Sequence, residues 1–314
     1  MMRIAIAGGG GLGYLLATQI SQATNAYHVV VLSRTTRPEY SNFDVQVQPV
    51  DYTSPQSLSY ALHGIDLVIS TVSGQEQLNL IRTAGQERVR LFVPSEFEGS
   101  LSRRPSRQSE TTLTLAALQR ISLSTRMRYT VFSCGLFMER RFHPKGLTHF
   151  NIGYRSGVLG PGELLVDLTA KTAEYVPKDD RGKTVLVCLT SVYDLAKFVV
   201  AAIEHGPCHW PREFTLRGDW LSVEDLVKTC SWVANTTLEH HVLDYTELQP
   251  LINYYVQVND TARAVRYQQL LDMSNGRFDF SQASLNDLVS ANREFDVQPM
   301  SFGQWFSRVW HSAS

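Results

Sequence analysis

Four consecutive glycines near the start of the chain have a spacing that suits nucleotide chemistry. In the segment IAIAGGGGLGYLLA, Gly8, Gly10 and Gly13 follow the pattern G-x-G-x-x-G. The apolar run before the glycines predicts a strand, and the run after them, from Gly11 and Leu12, predicts a helix. In that context the first glycine permits a tight turn, the second lets backbone approach a pyrophosphate, and the third lets the helix pack closely. We therefore predict a dinucleotide site; a glycine-rich turn without a ligand is the alternative.

The residues after the second predicted strand indicate which dinucleotide binds. NAD-binding folds place an Asp or Glu about 20 residues after the glycines, where it bonds the ribose 2′-OH. The segment HVVVLSRTTRP contains no acidic residue. A guanidinium binds phosphate through two parallel hydrogen bonds, so arginines beside hydroxyl groups favour a 2′-phosphate. We predict NADP(H), held here by Ser33, Arg34, Thr35 and Arg37, although surface arginines after a strand would give the same pattern.

The elements that must position these residues are visible as a regular alternation of patterns. Up to about residue 135, strand-like runs rich in Ile and Val alternate with helix-like runs. Such strands are typical of a parallel sheet covered by helices on both faces. Ser54 before Pro55 predicts a capped helix, and Ser222 predicts another. We predict an α/β fold, a Rossmann-type doubly wound parallel sheet with a smaller, irregular α/β substrate lobe.

The alternation becomes irregular after Gly135, and this sets the predicted domain boundary. We predict an NADP-binding Rossmann domain in residues 1–135. Later segments, at about 184–205 and 212–220, are predicted to return to it because they repeat the strand, cap and helix order. Residues 136–314 are predicted to form mainly the substrate-binding lobe, with a cleft between the two parts.

Composition and charge exclude several classes of partner. The chain has 314 residues, 43% hydrophobic and 19% charged, and a formal net charge of −1. This balance gives no electrostatic reason to expect nucleic acid or an anionic membrane. No stretch approaches the ~18 apolar residues of a membrane span, and the first strand leaves no room for a leader. We expect a cytoplasmic monomer or homodimer that acts on a small-molecule substrate.

The other residues that could bind a phosphate or a metal, or react as thiols, are explained without a functional site. The segment with Arg103, Arg104 and Arg107 predicts a solvated loop. The pair His240 and His241 has no partner at ligand spacing, so we predict no metal. The four cysteines are widely spaced and predict buried free thiols; they are Cys134, Cys188, Cys208 and Cys230.

The segment LFVPSEFEGS, from Leu91 to Ser100, resembles the isoflavone reductase-like and NmrA-like proteins, which are atypical short-chain dehydrogenases/reductases. The glycine turn, the Ser-Arg pair after the second strand, YTVFSCGLFME and TSVYDLAKFVVAAI share this resemblance. It is closest to the fungal branch, whose members often serve secondary metabolism. One difference is that Glu98 precedes Gly99, where the family usually has the glycine at once.

The resemblance implies further cofactor contacts after the fourth strand, in the SEF segment and in a loop lining the nicotinamide. It also implies that Asp51 lies near the adenine. Alternatively, Ser95 caps a helix, and Phe97 and Phe137 belong to the core. The implied contacts are Thr71, Val72, Ser73, Ser95, Glu96, Phe97, Ser133, Cys134, Gly135 and Phe137.

The acid/base group is the main departure from the family. Its reductases have a lysine in the helix after the SEF segment, whereas the helix predicted here, ETTLTLAALQR, has none, and the first lysine of the chain is Lys145. Arg120 in that helix is too basic to donate a proton near neutral pH. Tyr193 and Lys197 spell Y-x-x-x-K, but we expect a structural helix there. The remaining candidates for catalysis are Glu96, His143, Lys145, His149, Tyr154 and Tyr175.

Three functions remain open at this point. The first is an NADPH-dependent reductase of a small aromatic or heterocyclic metabolite, an imine, enone or ketone, lacking the usual lysine. An imine tolerates that loss best, because its nitrogen can be protonated before hydride arrives. The second is a cyclase or condensing enzyme on the same scaffold. The third is a non-catalytic regulator that senses NADP(H).

Overall fold

The computed structural model describes residues 1–104, 110–142, 164–292, 295 and 297–313. Within these ranges the main sheet has six parallel strands: β1 (Arg3–Ala7), β2 (His28–Ser33), β3 (Val45–Pro49), β4 (Leu67–Ser70), β5 (Leu91–Val93) and β6 (Arg128–Tyr129). Their order in space is β3-β2-β1-β4-β5-β6. This is the doubly wound order, and it confirms the predicted Rossmann-type fold.

Helices connect these strands on both faces of the sheet. They are α1 (Leu12–Ser21), α2 (Pro55–Leu62), α3 (Gly74–Gln86) and α4 (Glu110–Ser124), with a short 3-10 turn at Pro38–Tyr40. Ser54 caps α2 as predicted, because its Oγ accepts the Ser57 N–H at 3.3 Å. The apolar strands are buried on both faces of the sheet by two hydrophobic clusters. These clusters fix the sheet edge that carries the glycine turn.

After β6 the chain adds short strands and further helices. The strands are β7 (Val131–Ser133), β8 (Leu136–Phe137), β9 (Val166–Asp167), β10 (Thr172–Tyr175), β11 (Leu186–Thr190), β12 (Glu213–Thr215), β13 (Asp219–Ser222) and β14 (Glu239–Val242). The helices are α5 (Met138–Phe142), α6 (Val192–His205), α7 (Val223–Val233), α8 (Tyr245–Gln257), α9 (Thr261–Ser274), α10 (Ser284–Ala291) and α11 (Phe302–Ala313). In the described ranges no helix is both long and apolar enough to cross a membrane.

Two later elements join the first half directly. Strand β12 pairs in parallel with β7, which follows β6 in the chain. Helix α6 shares a hydrophobic core with α1, where Leu195 and Val199 lie in one cluster with Leu16 and Ile20. Both elements fall in the segments predicted to return to the first domain, although the domain division itself stays a prediction.

A separate core supports the second half. Strands β8, β11 and β13 form one small sheet, and β9, β10 and β14 form another. Side chains of α7, α8, α9 and α11 pack together against these strands. Ser222 caps α7 as predicted, since its Oγ accepts the Asp225 N–H at 3.0 Å.

Two predictions about exposure are wrong. The side chain of Arg104 is only 4% exposed, because it pairs with carboxylates of the preceding loop instead of pointing into water. Arg103 is exposed, and Arg107 lies outside the described residues. All four cysteines are free, but only three are buried; Cys208 is exposed in a surface 3-10 turn at Pro207–His209.

At Gly135, between β7 and β8, steric contacts predict that any side chain lowers the stability of the fold. Its φ is +72°, and a Cβ there would lie 2.1 Å from the Cys188 carbonyl oxygen. Gly182 is a matched control, because its φ is +74° but no described atom lies within 4 Å of its Cβ position. We expect Gly182→Ala to lower the free energy of unfolding by about 1–2 kcal/mol. Gly135→Ala should lose about 1–3 kcal/mol more through overpacking.

Urea unfolding of the two variants measures this difference. Equal losses would show that the contact with Cys188 relaxes at no cost.

Candidate active site

The glycine turn joins β1 to α1, and two of its glycines lie very close to neighbouring atoms. Gly8 has a φ of +102°, and a Cβ there would lie 2.3 Å from Thr71 Oγ1. At Gly13 a Cβ would lie 1.9 Å from the Gly8 carbonyl oxygen. Only glycine permits both approaches, which agrees with the roles predicted for the first and third glycines of the pattern.

Gly10 differs from these two because its Cβ position is open. The nearest described atom is Nη2 of Arg37, at 4.0 Å. The Arg37 Nε donates to Ser33 Oγ at 3.2 Å, and its side chain also approaches Gly9. The buried Tyr40 fixes this arrangement, because its hydroxyl donates to the Gly9 carbonyl at 3.0 Å. A guanidinium therefore lies beside the open part of the turn.

Arg34 is placed differently from Arg37. Its side chain is 74% exposed, and its Nη1 lies 3.4 Å from the Glu76 carboxylate at the start of α3. The Thr35 N–H donates to Ser33 Oγ at 3.4 Å. Of the predicted phosphate ligands, Arg37 and Ser33 thus adjoin the glycine turn, whereas Arg34 pairs with α3.

The segment after β4, which the resemblance implied to line the cofactor, adjoins the glycine turn. The Thr71 hydroxyl donates to the Ala7 carbonyl at 2.8 Å, and Val72 also approaches the Cβ position of Gly8. Ser73 is exposed at the N-cap of α3. Asp51 is instead engaged within its own loop, where hydrogen bonds from the Thr53 hydroxyl and N–H lower the pKa of its carboxyl.

The loop after β5 is held from two sides. The Ser95 N–H donates to Gln77 Oε1 at 2.7 Å, and the buried Gln77 amide donates in turn to Thr114 Oγ1 on α4. The next α-helix begins only at Glu110, so the alternative in which Ser95 caps it is wrong. Helices α3 and α4 therefore position this loop through buried polar side chains.

A network of ion pairs holds the same loop from the other side. Arg104 Nη1 lies 2.6 Å from Glu96 Oε2 and 3.3 Å from Glu98 Oε1. Arg277 Nη2 lies 2.7 Å from the same Glu98 oxygen, and its Nη1 lies 2.5 Å from Asp272. We call these five residues the ion-pair network. An ion pair requires an ionised carboxylate, so Glu96 has no proton to give as a general acid in this arrangement.

The segment between β7 and β8 docks on this loop through its backbone. The Glu98 carbonyl accepts the N–H groups of Cys134, at 2.9 Å, and Gly135, at 3.2 Å. The Ser133 hydroxyl donates to Glu213 at 2.7 Å. The side chains of Ser133 and Cys134 are fully buried, so they have no exposed surface for a cofactor. Burial also raises the pKa of the Cys134 thiol well above its usual range.

A cavity of about 210 Å³ lies where these segments meet the second half of the chain. Several residues implied to lie near a nicotinamide form one side of it, and residues of α9 and the segment after it form another. Aromatic rings supply much of the wall. The lining residues used below are Phe97, Gly135, Phe137, Gln269, Arg277 and Phe278.

The remaining acid/base candidates are placed away from this cavity or outside the described ranges. His143, Lys145, His149 and Tyr154 lie outside the described residues. Tyr175 does not line the cavity; its hydroxyl is hydrogen-bonded to His240 Nδ1 at 3.2 Å, and burial raises its pKa.

The Y-x-x-x-K pair lies on α6, where Lys197 Nζ is 3.1 Å from Asp194. Among the described residues that line the cavity there is no lysine. Arg277 does line it, although no sequence pattern selects this residue, because its partners Glu98 and Asp272 come together with it only in three dimensions.

Comparison with known proteins gives relatives that cover 72% of this chain. The chain is 30% identical over 238 residues to Oxidoreductase BOA1 of Botryotinia fuckeliana (strain B05.10), covering 72% of this chain and 74% of that protein. A crystal structure of isoflavone reductase matches with a TM-score of 0.72 and 16% identity, over 98% of both chains. AtPrR2 with NADP+ and (+)pinoresinol matches with a TM-score of 0.71 and 16% identity, also over 98% of both chains. At such identities the two structures establish the fold alone. No family model matches the sequence.

The strand order, the glycine turn and the oxidoreductase relative together define an oxidoreductase on a Rossmann-type fold. The chain belongs to the isoflavone reductase-like, or NmrA-like, family, and its relative places it in the fungal branch. This confirms the resemblance seen in LFVPSEFEGS.

The glycine turn gives a prediction that separates binding from folding. A methyl group at Gly10 meets only open space in the protein, but it would occupy the place through which a pyrophosphate approaches the backbone. Gly10→Ala should therefore unfold in urea like the wild type, yet lose at least about tenfold in NADPH affinity. Gly13→Ala should be destabilised, because its methyl group meets the Gly8 carbonyl.

NADPH fluorescence titration and urea unfolding measure the two effects. Wild-type NADPH affinity in Gly10→Ala would show that the turn does not hold the cofactor.

Proposed function

We propose that the chain is an NADPH-dependent reductase of a small aromatic or heterocyclic metabolite, an imine, enone or ketone, in fungal secondary metabolism. One observation carries this proposal. Phe97, Gly135 and Phe137, which the family resemblance associates with the nicotinamide, line the aromatic cavity. A ring bound there would lie beside the reactive end of the cofactor. The NADP+ bound by the structurally similar AtPrR2 is consistent with this choice of cofactor.

The residues of the glycine turn fit a pyrophosphate. Gly10 leaves open space at the turn, and the first turn of α1 contains no acidic side chain. The N-terminus of a helix carries a partial positive charge and favours a phosphate. Arg37 adds a full positive charge on the same side, where Ser33 Oγ orients its Nε. These features suit NADP(H) better than NAD(H).

NADPH, when bound, supplies a hydride. The described residues around the cavity position the substrate, and Phe97, Phe137 and Phe278 give it apolar contacts. They do not supply a proton near neutral pH: Glu98 and Asp272 are ionised in pairs with Arg277, and a guanidinium is too basic. The proton therefore comes from water, from the substrate itself or from a side chain outside the described residues, and a substrate source favours an imine whose nitrogen is already protonated.

The choice between NADPH and NADH tests the phosphate ligands. We expect Arg37→Ala to lose about tenfold to hundredfold in NADPH affinity, since hydrogen bonds to charged groups contribute about 1.5–3 kcal/mol. NADH affinity should change little, because NADH lacks the 2′-phosphate. Arg34→Ala is the matched variant; it should also reduce NADPH affinity more than NADH affinity, but less than Arg37→Ala because only Arg37 approaches the glycine turn.

Fluorescence titration with both nucleotides gives the four affinities. Equal losses for NADPH and NADH in both variants would remove the 2′-phosphate assignment.

Turnover is tested by following NADPH absorbance with cyclic imines, enones and aromatic ketones. We expect oxidation with at least one of these classes, with cyclic imines fastest. Tight NADPH binding without turnover across such a panel would contradict a reductase.

A further inference from the structure

Two buried polar atoms at the cavity have no hydrogen-bond partner among the described residues. They are Oε1 of Gln269 on α9 and Nε of Arg277, and both residues line the cavity. Buried polar atoms are nearly always paired in native proteins, because an unmade hydrogen bond costs the full desolvation of the group. One acceptor and one donor in the wall of one cavity therefore call for a ligand that supplies their partners.

The position of Arg277 is fixed by its other atoms. Its Nη1 and Nη2 pair with Asp272 and Glu98, its side chain is 13% exposed, and its carbonyl oxygen accepts the Ser100 N–H at 3.0 Å. Its Nε–H has no hydrogen-bond partner among the described residues and is free to bond a ligand. The neighbouring Glu98 is the residue at which this sequence departs from the family, so the departure supplies the carboxylate that orients Arg277.

The charge around Arg277 determines what kind of ligand group fits. The ion-pair network contains three carboxylates and two guanidinium groups, which leaves one net negative charge. A carboxylate on the ligand would meet this excess of negative charge in a poorly solvated cavity. A cationic group has no acceptor for the Nε–H. An uncharged group with one acceptor and one donor satisfies both atoms.

We propose that Gln269 and Arg277 recognise an uncharged substrate group that presents an acceptor and a donor side by side, such as a carboxamide or a lactam. The ring that bears this group lies between Phe97, Phe137 and Phe278. Neither recognition atom is exposed, so binding requires a small rotation of both side chains toward the cavity; the terminal torsion of the Gln269 amide is soft. The inference rests on the proposed function, in which this cavity takes the substrate.

Three probes of one shape test the proposal. Benzamide is uncharged with both a donor and an acceptor, benzoate is an anion with acceptors only, and benzamidine is a cation with donors only. Their binding to the full chain, with and without NADP+, is measured by ligand-observed NMR. We expect benzamide to bind about three- to tenfold more tightly than either ion, the range expected for one neutral hydrogen bond. Tighter binding of benzoate or benzamidine overturns the proposal.

Two variants assign the effect to these side chains. Gln269→Leu removes the acceptor at similar volume, and Arg277→Lys keeps the charge between Glu98 and Asp272 without the Nε donor. Both should lose most of the preference for benzamide, whereas Gln249→Leu on the exposed side of α8 should keep it. Unchanged benzamide binding by a folded Gln269→Leu protein overturns the assignment. Thermal melting verifies folding, and Gln269→Leu alone decides the test if Arg277→Lys does not fold.

NADP+ affinity, measured separately on the same proteins, distinguishes this inference from the proposed function. Failure of the wild type to bind NADP+, with a benzamide preference that depends on Gln269, would contradict the proposed function only. Normal NADP+ binding without a benzamide preference would contradict the inference only. We expect the wild type to bind NADP+ and to prefer benzamide. Gln269→Leu should leave NADP+ affinity unchanged.

Discussion

The ion pair between Glu98 and Arg277 connects the parts of the molecule that form the cavity. Glu98 belongs to the loop after β5, and Arg277 follows α9. The Glu98 carbonyl also holds the backbone between β7 and β8 through the N–H groups of Cys134 and Gly135. Each member of the pair has a second partner of opposite charge, Arg104 for Glu98 and Asp272 for Arg277. The loop, the segment between β7 and β8 and α9 are therefore held in one relative arrangement.

Two residues at which the chain departs from the family take part in this arrangement. Glu98 replaces the expected glycine and orients Arg277 at the cavity wall. Helix α4, where the family places a lysine, instead presents Thr114, which accepts a hydrogen bond from Gln77 and so helps to hold the Ser95 loop. The helix keeps a positioning role without a lysine. Recognition in the described part of the cavity thus depends on paired charges and hydrogen bonds.

The parts of the fold that the sequence predicted correctly depend on local patterns. The alternation of strands and helices, the caps at Ser54 and Ser222 and the glycine turn are read from neighbouring residues. The family resemblance also selected Phe97 and Phe137 as cofactor contacts; both line the cavity, and their contact with a cofactor stays a prediction.

Positions that depend on distant partners could not be predicted from the sequence, which selected Arg34 and Arg37 alike as phosphate ligands. Arg37, not Arg34, adjoins the glycine turn because the 3-10 turn ends at Tyr40, which bonds the Gly9 carbonyl. Arg104 appeared solvated in a basic segment, yet Glu96 and Glu98 hold it inside. The crystal structure of the complex with NADP+ tests the account most directly: it should show the 2′-phosphate on Arg37 and the nicotinamide against Phe97 and Phe137 at the cavity. A nicotinamide bound away from the cavity, with the 2′-phosphate in solvent, would contradict it.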